Sequence, residues 1–171
     1  MSTSRIAHAC VPGTFDPVTY GHLDVIRRSC RLFDRVTVAV AASYGKNGTG
    51  PTFSLDERVD MIRGAIAESD IPSDVEVVGF EGLLVDLCHQ IGAGAVVKGL
   101  RAATDFEYEL QQADLNNLMA PDIESVYVMG SREYGYISSS IVRELAALGR
   151  DVSFLVPSSI DKRLKDRFGR S

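Results

Sequence analysis

The sequence has no long hydrophobic run, and this absence argues against several classes of protein. Its most apolar stretches, such as residues 36–42, are far shorter than the ~20 residues that a membrane-spanning helix needs. Residues 1–8 lack the apolar core of a secretory signal, and Pro12 interrupts the apolar run that follows. We therefore expect a cytoplasmic protein with no membrane partner.

Cysteine and positive charge are also in short supply. The three cysteines, Cys10, Cys30 and Cys88, show no Cys-x-x-Cys spacing, which argues against a disulfide framework and against a zinc site. Lys and Arg number 18 against 23 Asp and Glu, so the net charge is −5. Because nucleic acids are bound by many cations that neutralise phosphates, we expect no nucleic-acid partner, and any anionic ligand must be held locally.

What the sequence does contain is an alternation of short apolar runs and amphipathic stretches over 171 residues, a length typical of one domain. The apolar and β-branched runs predict strands at 6–11, 36–42, 75–80, 95–98 and 125–129. Apolar residues at helical spacing predict helices at 21–32, 55–66, 83–91, 104–119, 137–148 and 159–168. This order predicts an α/β fold over residues 1–171, with one doubly wound, five-stranded parallel sheet and a C-terminal helical extension.

Several residues mark the ends of the predicted helices. Ser54 and Thr104 are each followed three residues later by Glu, and this capping-box spacing places a helix start at each. Gly92 and Gly149 are expected to end their helices. The polar helix at 159–168 is expected to cover a sheet edge or to contribute to an oligomer contact.

The segment 12–22, Pro-Gly-Thr-Phe-Asp-Pro-Val-Thr-Tyr-Gly-His, lies between the first predicted strand and the first helix. Its glycines allow close backbone approach, and Thr14, Thr19 and His22 supply hydrogen-bond donors where a helix N-terminus favours anions. The segment therefore predicts a phosphate site. From composition alone, an ordinary turn with Thr19 as the N-cap and His22 at the surface is an equally good interpretation.

Other polar groups follow the later strands, where the carboxyl ends of a parallel sheet meet at one edge. Lys46 lies in a glycine-rich loop, Lys98 ends the fourth strand, and three serines at 138–140 begin a helix. Each has a simpler interpretation as well. Lys46 could be solvated, Lys98 could pair with Asp105 or Glu109, and one serine could be an ordinary N-cap.

The order of these motifs resembles a known family. Gly-Thr-Phe-Asp-Pro followed by Thr-x-Gly-His closely resembles the nucleotidyltransferase signature, and Thr19 in place of the first His is similar to the phosphopantetheine adenylyltransferase branch. The resemblance continues through Lys46 and through the motifs at 99–101, 105–109 and 137–140. It implies a Rossmann-like nucleotidyltransferase fold, ATP and 4′-phosphopantetheine as substrates, Mg²⁺ carried by ATP, and a homohexamer.

The resemblance also implies a role for individual residues. It implies catalytic roles for Thr14, His22, Lys46 and Arg101. The sequence assigns no residue as a metal ligand and leaves any such ligand undetermined. The resemblance implies an ATP site made of Thr14, Phe15, His22, Gly99, Leu100, Arg101, Glu109, Tyr134, Ser138, Ser139 and Ser140. It implies phosphopantetheine contacts from Thr14, Lys46, Leu84, Lys98 and Asn116. The sequence departs from the family in having Lys98 for an Arg, Tyr134 for a frequent Trp, and a longer loop around Lys46.

No Ser, Cys or Lys in these motifs is paired with a base as an activated nucleophile, so the residues favour direct in-line attack on the α-phosphorus of ATP. Two alternatives stay open. One is another nucleotidyltransferase, for example one acting on nicotinate mononucleotide, and the other is a nucleotide- or coenzyme A-binding module without turnover. The motifs do not complete a dinucleotide fingerprint or a Walker A loop, which disfavours a dehydrogenase or a P-loop kinase.

Overall fold

The computed structural model describes residues 5–43, 50–101 and 103–169, with the side chains of 103–105 left aside. Its strands are β1 (His8–Gly13), β2 (Arg35–Ala41), β3 (Glu76–Phe80), β4 (Ala95–Leu100) and β5 (Glu124–Met129). Its helices are α1 (Tyr20–Leu32), α2 (Leu55–Ala67), α3 (Leu84–Ile91), α4 (Ala103–Met119), α5 (Ser139–Ala147) and α6 (Ser158–Arg167). Every predicted strand and helix is present, with ends shifted by a few residues.

The five strands form one parallel sheet in the order β3-β2-β1-β4-β5. From β1 the chain first builds the sheet outward through β2 and β3, then crosses over to β4 and continues to β5. The order therefore reverses between β1 and β4, and a crevice opens there at the carboxyl ends of the strands. The predicted doubly wound α/β fold is confirmed.

Helices cover both faces of the sheet, which is why its strands are almost continuously apolar. Val38, Ala39 and Val40 of β2 are fully buried. The larger apolar cluster contains residues of α1, α2, α5 and α6, and the smaller one lies beside α3. Ile160 and Leu164 bury one side of α6, so this C-terminal helix completes the layer on one face rather than covering a sheet edge.

The helix ends follow the sequence in most places. The Ser54 hydroxyl accepts a hydrogen bond from the Glu57 amide (3.2 Å), and the Glu57 carboxylate accepts one from the Ser54 amide (2.8 Å). Gly92 ends α3 in the left-handed conformation with φ 70°. The predicted cap at Thr104 is wrong. Because α4 begins at Ala103, almost directly after β4, Thr104 already lies in the helical turn, where it cannot have the extended backbone of an N-cap.

Within the described ranges, no helix is long and apolar enough to span a bilayer.

Candidate active site

A cavity of about 430 Å³ opens at the carboxyl ends of β1 and β4, a volume in the usual range for small-molecule sites. Its walls are formed by the loop after β1, the start of α1, the end of β4, Glu109 of α4, the segment after β5 and the start of α5. It brings together eleven of the predicted site residues, namely Thr14, Phe15, His22, Lys98, Gly99, Arg101, Glu109, Tyr134, Ser138, Ser139 and Ser140.

Of the described residues, three other predicted site residues, Leu84, Leu100 and Asn116, do not line this cavity. Lys46 lies outside the described residues. Leu100 is buried in β4, and its carbonyl accepts a hydrogen bond from the amide that follows β5. Leu84 packs against the smaller apolar cluster at the start of α3, and Asn116 lies toward the end of α4. Of the residues predicted to bind phosphopantetheine, the cavity therefore contains Thr14 and Lys98.

At the start of α1, the segment 12–22 contains both the ordinary Thr19 cap and a histidine that faces a cavity. Thr19 is indeed the N-cap, and its hydroxyl accepts a hydrogen bond from the His22 amide (3.4 Å). In return the Thr19 amide donates to His22 Nδ1 (3.0 Å), so the histidine completes the capping box. His22 is not an ordinary surface residue, because its ring lines the cavity and meets the Phe15 ring edge-on, with centroids 5.0 Å apart.

The surroundings of His22 fix its protonation state. Burial of the ring, with a smaller contribution from the nearby Arg101 charge, lowers its pKa to about 4. The ring is therefore neutral near pH 7. Since a backbone N–H can only donate, Nδ1 acts as the acceptor for Thr19, and the single ring proton resides on Nε2. His22 thus offers one neutral N–H donor to a ligand in the cavity.

Two cations project from the end of β4 and the turn after it. Arg101 Nη1 donates to the Ile137 carbonyl (3.0 Å), which ties that turn to the segment preceding α5. Lys98 Nζ lies 2.9 Å from Glu109 Oε2, so the ion pair considered from the sequence is present. Both cations line the cavity and make it favourable for a polyanion.

The three serines each have a different environment. Ser138 is the N-cap of α5, and its hydroxyl accepts from the Ile141 amide (3.2 Å). Ser139 donates to the Pro17 carbonyl (2.8 Å), which joins α5 to the loop after β1. Ser140 accepts a long bond from Arg143 (3.5 Å). Because α5 starts at the cavity, its first amides and its dipole add a second anion-binding helix N-terminus to that of α1.

Close backbone approach at this site depends on glycine. An added Cβ on Gly99 would lie 2.5 Å from Val25 Cγ2, and one on Gly13 would lie 2.8 Å from the Phe15 ring. Phe15 itself has a φ of 49°, an unusual value for a residue with a side chain. The glycines therefore allow α1, β4 and the loop after β1 to meet closely.

The sequence interpretation missed Asp24, which is buried and lines the cavity. Its Oδ2 accepts from the hydroxyl (2.8 Å) and the amide (3.4 Å) of Ser131, so it holds the segment after β5 against α1. The only sequence signal was an acidic residue directly between the apolar Leu23 and Val25. Among the residues with described side chains, no group of three or more His, Cys, Asp or Glu is placed to hold a metal ion.

Solved structures with the same fold include two of a bifunctional NMN adenylyltransferase/ADP-ribose pyrophosphatase from Francisella tularensis, one of them complexed with AMP and a manganese ion. They match 95% of this chain with TM-scores of 0.70 and 0.71 at 14% identity. This chain spans half the length of that bifunctional protein. At this identity the likeness demonstrates a shared fold.

Sequence comparison is more specific. The family model described as cytidylyltransferase-like matches residues 10–145, a range that includes all of the described residues lining the cavity. A phosphopantetheine adenylyltransferase from Staphylococcus carnosus is 44% identical over 162 residues, covering 95% of this chain and 97% of the relative. The chain is thus a nucleotidyltransferase that belongs to the cytidylyltransferase-like family and, by its full-length likeness, to the phosphopantetheine adenylyltransferases.

Proposed function

We propose that this enzyme transfers the adenylyl group of ATP to 4′-phosphopantetheine, producing dephospho-coenzyme A and pyrophosphate. A phosphate oxygen of phosphopantetheine forms a bond to the α-phosphorus, and the bond from that phosphorus to the bridging oxygen breaks. Pyrophosphate leaves with the electron pair. The likeness to a full-length relative of that name supports the substrates. The observation that carries the chemistry is a neutral His22 in a cavity that two helix N-termini and two cations share.

We assign His22 the stabilisation of the transition state. Its Nε2–H is a fixed donor for the negative charge that builds on the oxygens of the α-phosphoryl group as the new bond forms. Because the ring is held by the Thr19 cap on its other nitrogen, it needs little reorientation when the charge develops. A neutral donor adds little to ground-state attraction for ATP, so its contribution falls mainly on the chemical step.

Arg101, Thr14 and Lys46 complete the proposed catalytic set. The Arg101 guanidinium is restrained by the Ile137 carbonyl and supplies a planar, permanently charged group for phosphate oxygens. Thr14 is placed at the carboxyl end of β1, on the same wall of the cavity as His22. Lys46 remains a prediction from the resemblance, as a contact for the transferred phosphate and the incoming nucleophile.

Lys98 and Glu109 are proposed to exchange partners when substrates bind. Their ion pair lies in the wall of the cavity where the resemblance implies a phosphopantetheine contact for Lys98 and a nucleotide contact for Glu109. A dianionic phosphate is a stronger partner for an ammonium group than one carboxylate. Its arrival would release Glu109 toward the nucleotide, while Phe15, Gly99, Leu100, Tyr134 and the three serines form the rest of the ATP site. Leu84 and Asn116 remain predicted contacts of the pantetheine arm.

Mg²⁺ is proposed to enter as its complex with ATP. Among the described lining residues, the two carboxylates have partners before substrate binds, since Asp24 accepts from Ser131 and Glu109 pairs with Lys98. This fits an ion that keeps its waters and binds substrate phosphates rather than a protein cage. The bound ion would neutralise part of the phosphate charge.

We propose direct transfer without an adenylylated protein. Among the described residues that line the cavity, no serine or threonine hydroxyl is hydrogen-bonded to a carboxylate that could act as its base, and no cysteine is present. The Thr19 hydroxyl lies 3.1 Å from His22 Nδ1, but that nitrogen already accepts from the Thr19 amide. Ser139 donates to a main-chain carbonyl, Ser138 caps α5, and the Thr19 hydroxyl caps α1. The site can orient two anions and balance their repulsion.

We propose that the enzyme acts in the cytoplasm as a homo-oligomer, which the family resemblance implies is a hexamer. The exposed side of α4 supports the proposed assembly. Tyr108, Leu115, Leu118 and Met119 are all more than half exposed, and such a concentration of large apolar side chains is unusual for a free surface. Sedimentation of the wild type against Leu118→Lys tests this assignment. We expect the substitution to lower the oligomer mass, whereas a wild-type monomer would contradict it.

Pyrophosphate release with ATP, Mg²⁺ and a panel of acceptors tests the proposed function. The panel contains 4′-phosphopantetheine, nicotinate mononucleotide and glycerol 3-phosphate, with His22→Ala as the matched control for contaminating activity. We expect release with phosphopantetheine alone and its loss in the control. Release with nicotinate mononucleotide alone would favour the other adenylyltransferase, and ATP binding without release would favour a binding module.

A further inference from the structure

A fully buried arginine lies beneath the catalytic loop, outside the cavity. Arg58, on the first turn of α2, is 1% exposed. Its Nη1 donates to the carbonyl of Thr14 (2.6 Å) and to that of Ala41 (2.8 Å), and its Nε donates to those of Phe53 (3.0 Å) and Ser54 (3.3 Å). One guanidinium thus connects the loop after β1, the last residue of β2 and the segment that leads into α2.

Burying this charge needs an explanation. Burial lowers the pKa of Arg58, and the nearby Asp16 carboxylate opposes that shift. Asp16 is itself buried and accepts from the amides of Thr52 (2.8 Å) and Phe53 (3.0 Å). Buried ion pairs are often replaceable by apolar side chains with no loss of stability. Stability alone therefore does not explain why this position holds an arginine. What an apolar side chain could not reproduce is the set of hydrogen bonds from the guanidinium to main-chain carbonyls.

The loop that Arg58 contacts has no regular structure of its own. Between the end of β1 and the Thr19 cap, its conformation depends on side chains that come from other elements. Three of its carbonyls are bonded in this way, those of Thr14 by Arg58, Asp16 by Arg143 and Pro17 by Ser139. Of the three donors, Arg58 contacts the residue nearest to the proposed reaction centre, because Thr14 lines the cavity while its carbonyl faces the guanidinium.

We propose that Arg58 is a positioning residue for adenylyl transfer. It fixes the main chain of Thr14 relative to Ala41 at the end of β2. This inference rests on the proposed function. In a reaction that depends on alignment, displacement of one wall by about 1 Å can lower the rate by about 10²-fold. Nucleotide affinity is spread over Arg101, the serines and the start of α5, so it should change far less than the rate.

The test compares Arg58→Lys and Arg58→Gln with the same two substitutions at Arg63. Arg63 is the matched control because it lies on the same helix, has a largely exposed side chain and donates to a single carbonyl, that of Val77 (3.0 Å). A lysine keeps the charge but lacks the planar fork, and a glutamine keeps two donors without the charge. Circular dichroism and melting curves establish which variants are folded at the assay temperature.

We expect folded Arg58→Lys to lower kcat by about 10- to 100-fold, with the KM and calorimetric Kd for ATP within about threefold of wild type. Arg58→Gln should lower kcat further, and both Arg63 variants should have the kcat of the wild type. A folded Arg58→Lys with wild-type kcat, or with a change confined to KM, overturns the proposal. So does failure of both Arg58 variants to fold, which assigns the residue to stability alone. A wild type inactive on phosphopantetheine would instead refute the proposed function.

Discussion

Two of the walls of the cavity are held in place by different kinds of contact. On the wall made by β1 and α1, Thr14 and His22 are held through bonds that involve main-chain atoms, from Arg58 and from the Thr19 amide. On the wall made by β4 and α4, Lys98 and Glu109 hold each other through a side-chain ion pair that is partly solvated. We expect a ligand to displace the second arrangement more easily than the first. The difference supports the proposal that catalytic geometry is preorganised on the first wall and that substrate charge is accommodated on the second.

The largest expected effect is on the preorganised wall. His22→Ala should lower kcat by about 10²–10³-fold while ATP affinity changes little, because it removes the donor that we propose to stabilise transition-state charge. Steady-state kinetics and calorimetry measure the two quantities. His89→Ala is the control, since His89 is an exposed histidine that pairs with Asp122 away from the cavity. Turnover near wild type in His22→Ala would remove His22 from the catalytic set.

A second prediction concerns the stability that depends on the close contact between Gly99 of β4 and Val25 of α1. Gly99→Ala should destabilise the protein by about 1–3 kcal/mol, because its Cβ would lie 2.5 Å from Val25 Cγ2. Gly64→Ala should instead stabilise the protein by about 0.5–1 kcal/mol, because Gly64 lies inside α2 and alanine favours the helix more than glycine does. An added Cβ there would lie 3.9 Å from Ser159 Oγ, an ordinary contact distance. Denaturant unfolding measures both. Equal stabilities of the two variants would show that the close approach at Gly99 is relaxed at little cost.

The neutral His22 also makes a prediction for stability against pH. The pKa of His22 is about 4 in the folded protein and near the ordinary histidine value of 6.5 in the unfolded chain. Between these pH values the imidazole therefore binds a proton in the unfolded chain but not in the folded protein. The free energy of unfolding should therefore be independent of this group above about pH 6.5 and fall as the pH drops toward 4, by about 1–2 kcal/mol at pH 5. Unfolding titrations of wild type and His22→Ala should diverge in this window. Parallel curves would contradict the lowered pKa.

The smallest effect is expected on the wall made by β4 and α4. Lys98→Arg should leave kcat unchanged and should maintain or lower the KM for phosphopantetheine, because it keeps the charge and adds a bidentate donor. Initial rates at varied phosphopantetheine concentration measure this. A large loss of activity would show that the ammonium group of Lys98 has a role that a guanidinium cannot fill.

The sequence predicted the fold well, because a covered parallel sheet is recorded locally in apolar runs and helical spacing. The order and type of all strands and helices followed from these patterns. The error at Thr104 arose because the short connection from β4 decides where α4 begins, and no local capping pattern contains that information. Local motifs likewise located the residues of the segment 12–22 and the serines at 138–140 at one site.

The supporting residues were missed because their partners are distant in sequence. Arg58 bonds a carbonyl 44 residues away, Asp24 a serine 107 residues away, and Arg143 a carbonyl 127 residues away. A charge in an apolar stripe was the one available sign, as Arg58 lies three residues after Leu55 and next to Val59, both of which pack into the core. That sign indicates burial, but the acceptors of the guanidinium depend on tertiary structure.

The central claim is that His22 is preset as a neutral Nε2–H donor before any substrate binds. Nitrogen-15 NMR of the histidine-labelled enzyme, with His22→Ala to assign the signal, tests it directly in a pH titration without nucleotide. We predict a bare Nδ1, a protonated Nε2 and a titration midpoint near pH 4. A protonated Nδ1 at neutral pH, or a midpoint near pH 6.5, would contradict the preorganised wall.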